Sequence, residues 1–72
     1  METIKLNSEL LEKITYWNVK SLDNSFNKDY KKSLFSTPEK ALKEARKKCQ
    51  TSIVITGLTM HAETKPVLSD TV

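Results

Sequence analysis

The run Ser36-Thr37-Pro38-Glu39-Lys40-Ala41-Leu42-Lys43-Glu44-Ala45-Arg46-Lys47-Lys48-Cys49 constrains this chain more than any other, because all of its local signals agree on one structure. Proline has no N–H to donate and a fixed φ, so Pro38 suits a first helical position and pushes Thr37 out of the α region. Thr37 then reads as the N-cap, its hydroxyl accepting from a backbone N–H that would otherwise be unpaired. Ser36-x-x-Glu39 matches a capping box one residue earlier, but Pro38 favours Thr37 as the cap. Glu39 lies near the positive end of the helix dipole and Arg46, Lys47 and Lys48 near the negative end, each contributing about a few tenths of a kcal/mol. At about 100° per residue, Ala41, Leu42, Ala45 and Cys49 share one side while Lys40, Lys43 and Lys47 share the opposite one. Two of those four apolar positions are alanine. The backbone can therefore approach its support closely, which suits packing on a sheet better than meshing with a second long helix.

The sheet is sought in the rest of the chain. A length of 72 residues allows a single domain over 1–72 that buries about 60% of its extended-chain surface. Residues 1–12 read as a short strand, with Ile4 and Leu6 on one side, followed by Asn7 or Ser8 capping a helical turn through Leu10, Leu11 and Glu12. From Lys13 the pattern turns β-branched and aromatic, Ile14-Thr15-Tyr16-Trp17-Asn18-Val19-Lys20, with Thr15, Trp17 and Val19 alternating against Ile14, Tyr16 and Asn18. Residues 21–29 tolerate turns, and residues 30–35 form a second extended run, so a hairpin with a long loop is expected. Residues 51–56 are the most strand-like stretch, a central strand stopped or bulged at Gly57. Leu58, Met60 and Ala62 continue an alternation that suits one more edge strand. Residues 64–72 contain Pro66 and no periodicity, and read as a flexible tail. The expected fold is α+β: a small antiparallel sheet of three or four strands packed on one helix, in β-β-α-β order.

Several kinds of chemistry are excluded by what is missing. No apolar run approaches the ~18 residues of a membrane span, and the first ten residues have neither the basic nor the apolar region of a signal peptide, so a cytoplasmic protein is expected. One cysteine cannot form an internal disulfide, and Cys49 on the dry helix face reads as a small core residue. His61 is the single histidine; with Cys49 in another element it falls short of a zinc ligand set. A thiol at a helix C-terminus has its pKa raised, which argues against a Cys49–His61 nucleophile pair. Glu9 with Glu12, and Glu39 with Glu44, are better explained as helix neighbours than as paired catalytic carboxylates. Gly57, the single glycine, cannot build a Gly-rich phosphate loop. No enzyme activity, cofactor, metal or small-molecule substrate is expected.

The positive signal is charge. Between Lys28 and Lys48 eight Lys or Arg face Asp29, Glu39 and Glu44, so the net charge of +3 is concentrated there. Lys31 and Lys32 on the second strand, with Lys40, Lys43 and Lys47 on the helix, form a candidate surface for nucleic acid or an acidic protein. Against it stands the commonness of solvated lysine faces, and nucleic-acid readers usually carry more arginine than one residue. If Trp17, Val19, Phe35, Ile53 and Ile55 face the helix, then Tyr16, Leu34 and Val54 emerge on the reverse of the sheet beside Lys20 and Lys32. That half-apolar face is either a second small core or a protein interface, including that of a homodimer.

Trp17-x-Val19, a hairpin, and Leu34-Phe35-Ser36-Thr37-Pro38-Glu39-Lys40-Ala41 leading into an alanine-rich helix resemble the three-strand-plus-helix DNA-binding domains of the plant ethylene-response type, over residues 16–49. In those domains a strand ends in Phe-x-Thr before a Glu-x-Ala helix. The resemblance implies a sheet lying in the major groove, read by arginines and tryptophans; the matching strand positions here carry Lys20, Lys31, Lys32 and Trp17. In layout alone, a capped helix between a hairpin and a last Ile/Val strand is also similar to small phage-encoded proteins, some of them inhibitors of CRISPR complexes, which work by occupying a nucleic-acid or protein surface.

Overall fold

A computed structural model describes residues 2–3 and 8–70. The elements in chain order are β1 (Glu2–Thr3), α1 (Ser8–Lys13), β2 (Tyr16–Ser21), β3 (Asn27–Lys31), α2 (Pro38–Arg46), β4 (Ile53–Leu58) and β5 (Glu63–Asp70). All strand pairs are antiparallel, and the five-stranded sheet has the order β1-β5-β4-β2-β3. The fold is mixed α+β, as expected. The expected three or four strands in β-β-α-β order are corrected, among the described residues, to five strands and two helices in the order β-α-β-β-α-β-β.

The capped helix forms for the reasons its sequence contains. Thr37 is extended (φ −133°, ψ 156°) and its Oγ1 accepts from Lys40 N at 3.3 Å, while Pro38 opens the helix. Ala41, Leu42 and Ala45 are buried on the sheet, and Cys49 is buried just past the helix end. At that end the Arg46 guanidinium donates to Asp70 of β5 and to the carbonyl of Thr51 at 2.7 Å, fastening helix to sheet. Helix α2 spans the step from the edge strand β3 to the middle strand β4.

The second strand was expected over residues 30–35; it is β3, ending at Lys31. The expected long loop is residues 22–26. Two features tighten it: Asn24 takes a left-handed φ of 61°, which asparagine tolerates, and Ser21, Asp23 and Ser25 form a local network. The Ser21 hydroxyl donates to Asp23 Oδ1 at 2.7 Å and accepts from Phe26 N at 2.9 Å, so this buried polar side chain is satisfied. The consequence is a shift of phase. Tyr30, not Phe35, is the core residue of the strand, and Phe35 packs its ring edge-on against Tyr30 at 5.3 Å from the following loop. The carbonyl of Phe35 accepts from the fully buried Trp17 Nε1 at 2.7 Å, which fixes that loop.

Beyond β4 the corrections are larger. Leu58, Met60 and Ala62 do not continue as a strand: the chain turns at residues 59–62, where Thr59 Oγ1 donates to the Ala62 carbonyl at 2.8 Å and accepts from Ala62 N at 3.0 Å. The stretch expected as a flexible tail is β5 as far as Asp70, with Val67 and Leu68 buried. A bulge reconciles a proline with this ladder. The register shifts between Ile55 and Thr56 and again between Thr56 and Leu58, so Pro66 stands opposite Thr56 at the irregularity, and two successive residues, Val67 and Leu68, turn into the core. Gly57 lies within the second shift, between Thr56 and Leu58. At the N-terminus, Glu2 and Thr3 pair with Ser69 and Leu68; Ile4, Leu6 and Asn7 lie outside the described residues, and Ser8 is the first residue of α1 rather than a residue before it. The core between α2 and the sheet is Trp17, Val19, Tyr30, Ile53, Ile55, Val67 and Leu68, closed at one end by Ile14.

Candidate functional site

Because opposed residues of an antiparallel ladder share a face, the register fixes what each side of the sheet displays. With Trp17, Val19, Ile53 and Ile55 toward α2, the other face shows three rows: Lys31, Tyr16, Leu58 and Glu63; Asp29, Asn18, Thr56 and Pro66; Asn27, Lys20, Val54 and Ser69. Val54, Thr56 and Leu58 are half-buried and Tyr16 and Lys20 exposed, so no described helix covers this face. Tyr16 and Val54 both lie on it, two rows apart. Leu34 does not: it sits in the turn after β3, 72% exposed. The middle row is polar by construction, since Asn18 Nδ2 donates to Asn27 Oδ1 and to Asp29 Oδ1, each at 2.7 Å. A shallow cavity of about 410 Å³ runs along this face and is lined by Asn18, Lys20, Asn27, Val54, Thr56 and Glu63, and by Leu22 and Asn24 of the turn after β2.

The five candidate lysines fall into two groups. Lys40, Lys43 and Lys47 are exposed on the outward side of α2. Lys40 Nζ donates to Ser36 Oγ at 3.2 Å, Lys47 Nζ pairs with Glu44 at 3.1 Å, and Lys43 makes no side-chain bond among the described residues. Lys31 points away from them, because alternation with the inward Tyr30 places it on the uncovered face beside Tyr16. Lys32 lies in the turn that follows and donates to the carbonyl of Leu11. The same alternation brings an unanticipated cation to the helix side: Lys28, whose Nζ lies 5.3 Å from the centre of the Tyr30 ring. Its position was readable only with the phase of β3 known.

Two titrations are displaced by the local structure. The Asp23 carboxyl is held down to about 2, first by the Ser25 hydroxyl, then by the Ser25 N–H and the Ser21 hydroxyl. Burial, and secondarily the charge of Glu44, push the Tyr30 phenol up. The Tyr30 hydroxyl is enclosed without a hydrogen-bond partner among the described residues. Trp17, the tryptophan on the strand likened to groove-reading sheets, is enclosed in the core and cannot touch a base.

No family model matches the chain, and comparison with curated proteins and with solved structures finds no significant match. No helix among the described residues is long and apolar enough to cross a membrane.

Proposed function

We propose that this is a small non-enzymatic binding protein that holds a polyanionic partner, nucleic acid or an acidic protein surface, against the outward side of α2. The observation that carries the reading is the placement of Lys40, Lys43 and Lys47 on the exposed side of a helix whose other side is locked to the sheet through Ala41, Leu42 and Ala45. A rigid support keeps the spacing of the charges, and Lys28 adds a fourth cation on the same side of the sheet. Duplex DNA is one polyanion to test on charge alone, since the likeness to DNA-binding domains of the ethylene-response type implies contact through the sheet rather than the helix. A cytoplasmic setting suits a chain whose one cysteine is a buried free thiol. The triple variant Lys40→Gln, Lys43→Gln, Lys47→Gln should lose binding while melting like the parent. Affinity should fall with salt, steeply for DNA through counterion release and modestly for an acidic protein. Unchanged affinity of the triple variant at low salt removes this reading.

The uncovered face of the sheet favours a second reading, an interface with another protein or a second copy of the chain, with Tyr16 and Val54 on the face and Leu34 beyond its end. Under that reading Tyr16→Ala or Leu34→Asp disrupts the complex and the helix lysines matter little.

A further inference from the structure

Among the described residues five large apolar side chains are exposed: Leu22, 65% exposed, stands alone in the turn after β2, and the other four, Leu11, Tyr16, Leu34 and Met60, 38%, 38%, 72% and 82% exposed, belong to the opposite end of the sheet. The register places them there. Tyr16 opens β2, opposite Lys31 and Leu58; Leu34 N donates back to the Lys31 carbonyl; Met60 is in the turn after Leu58; and Leu11 receives the Lys32 ammonium. Two cavities, of about 580 and 440 Å³, open at this end and meet at Glu12 and Thr15. Tyr16, Lys31 and Lys32 line one of them; Lys13, Met60 and His61 line the other. Three lysines thus stand around the cavities, and among the described residues Glu12 is the one carboxylate lining them.

We propose that this end of the sheet is a docking site for an acidic protein segment that carries apolar side chains. Leucine and methionine anchors fit such a partner: Met and Tyr are enriched at protein interfaces, and a thioether adapts to an irregular surface. A nucleic acid strand would want several aromatic platforms, and among the described residues the cavities at this end are lined by just the Tyr16 ring and the imidazole of His61. A second copy of the chain is disfavoured by symmetry, since a two-fold contact would lay the patch that carries Lys13, Lys31 and Lys32 against the same positively charged patch. An acidic segment neutralises the same lysines while its apolar residues cover Met60 and Leu34. This site is separate from the outward side of α2, so it stands or falls independently of the helix lysines.

The probe is a fluorescein-labelled peptide of aspartate and glutamate interspersed with leucine and phenylalanine, read by anisotropy against the whole chain. The controls are an all-glutamate peptide of equal length, the same apolar residues set among lysines, and a single-stranded oligonucleotide of equal charge. The acidic apolar peptide should bind at least tenfold more tightly than any control. Met60→Asp and Leu34→Asp, at positions too exposed to unfold the chain, should each weaken it tenfold or more, and Lys31→Glu likewise. The variant neutralised at Lys40, Lys43 and Lys47 should keep parental affinity. The proposal is overturned by equal affinity of the parent and both aspartate variants, by preference for the oligonucleotide, or by loss of binding in the helix variant alone. Self-association of the free chain that Met60→Asp abolishes would overturn it in favour of a second copy.

Discussion

Gly57 is glycine because of what faces it, not because of its backbone: its φ is not positive, and it lies within β4 opposite Trp17. A Cβ at this position would stand 2.5 Å from Ile14 Cδ1, 3.1 Å from Ile14 Cγ1 and 3.1 Å from Thr64 Oγ1. Ile14 is 2% exposed and packed in the core, so its terminal methyl can yield only by a change of rotamer toward the cavity it lines with Glu12 and Thr15. Gly57→Ala should therefore show the cost of overpacking, about 1–3 kcal/mol, partly offset by the roughly 0.5–1 kcal/mol that alanine gains over glycine in a strand. A net loss of about 1–2 kcal/mol is expected. Ile14→Val deletes the methyl at 2.5 Å and alone should cost about 0.5–1.5 kcal/mol. In the double variant the worst contact is gone, so its stability should be close to that of Ile14→Val alone, and the two changes should couple favourably by about 1 kcal/mol or more. Urea denaturation of the four proteins measures the coupling directly. Additivity within about 0.5 kcal/mol would refute the argument, because it would mean that the two side chains do not meet.

Leu68→Ala should cost about 2–5 kcal/mol by opening a cavity under β5, and a loss below about 1 kcal/mol in urea would take that strand out of the core. Tyr30→Phe removes an enclosed hydroxyl that has no partner among the described residues and should leave the melting temperature unchanged or raise it; a loss above about 1 kcal/mol would show that the hydroxyl is bonded after all. The Asp23 carboxyl is lowered to about 2 from 3.8, so the stability it lends is complete above pH ~4 and disappears as the pH falls toward 2. Asp23→Ala should flatten the acid limb of a melting-temperature profile over that interval, and parallel profiles for parent and variant would show that the ionised carboxylate does not hold the turn.

What could be read from the sequence were the features whose signal is local. Thr37, Pro38 and the spacing of Ala41, Leu42 and Ala45 are enough to define α2, because capping and a dry stripe are decided within a few residues. Trp17, Val19, Ile53 and Ile55 were placed in the core by alternation alone. The second strand was misplaced since its extent depends on how tightly residues 22–26 turn, and that rests on hydroxyl-to-carboxylate bonds between Ser21, Asp23 and Ser25 which composition does not order. A shift in the strand's limits moved Phe35 and Leu34 off the sheet and made Tyr30 its core residue, and Lys28 rather than Lys31 joined the helix side. β5 was missed because Pro66 breaks the alternation. Its compensation is a bulge opposite Thr56, a property of the pair of strands that neither strand shows alone.

The division of the lysines changes what a net charge of +3 means for this chain. The molecule measures 32 × 20 × 19 Å, and the outward side of α2 and the uncovered face of the sheet lie on opposite sides of it. Screening at physiological salt acts over about 8 Å, so the field of Lys40, Lys43 and Lys47 is largely spent before it reaches Lys31 on the uncovered face. Each surface then presents its own few charges to a partner. The salt dependence of binding at one surface should count only the lysines there, about three on α2, and neutralising the other group should leave that slope unchanged. A slope that responds to both groups would require a partner that wraps from the helix around the edge strand β3, where Lys28 and Lys31 alternate between the two sides.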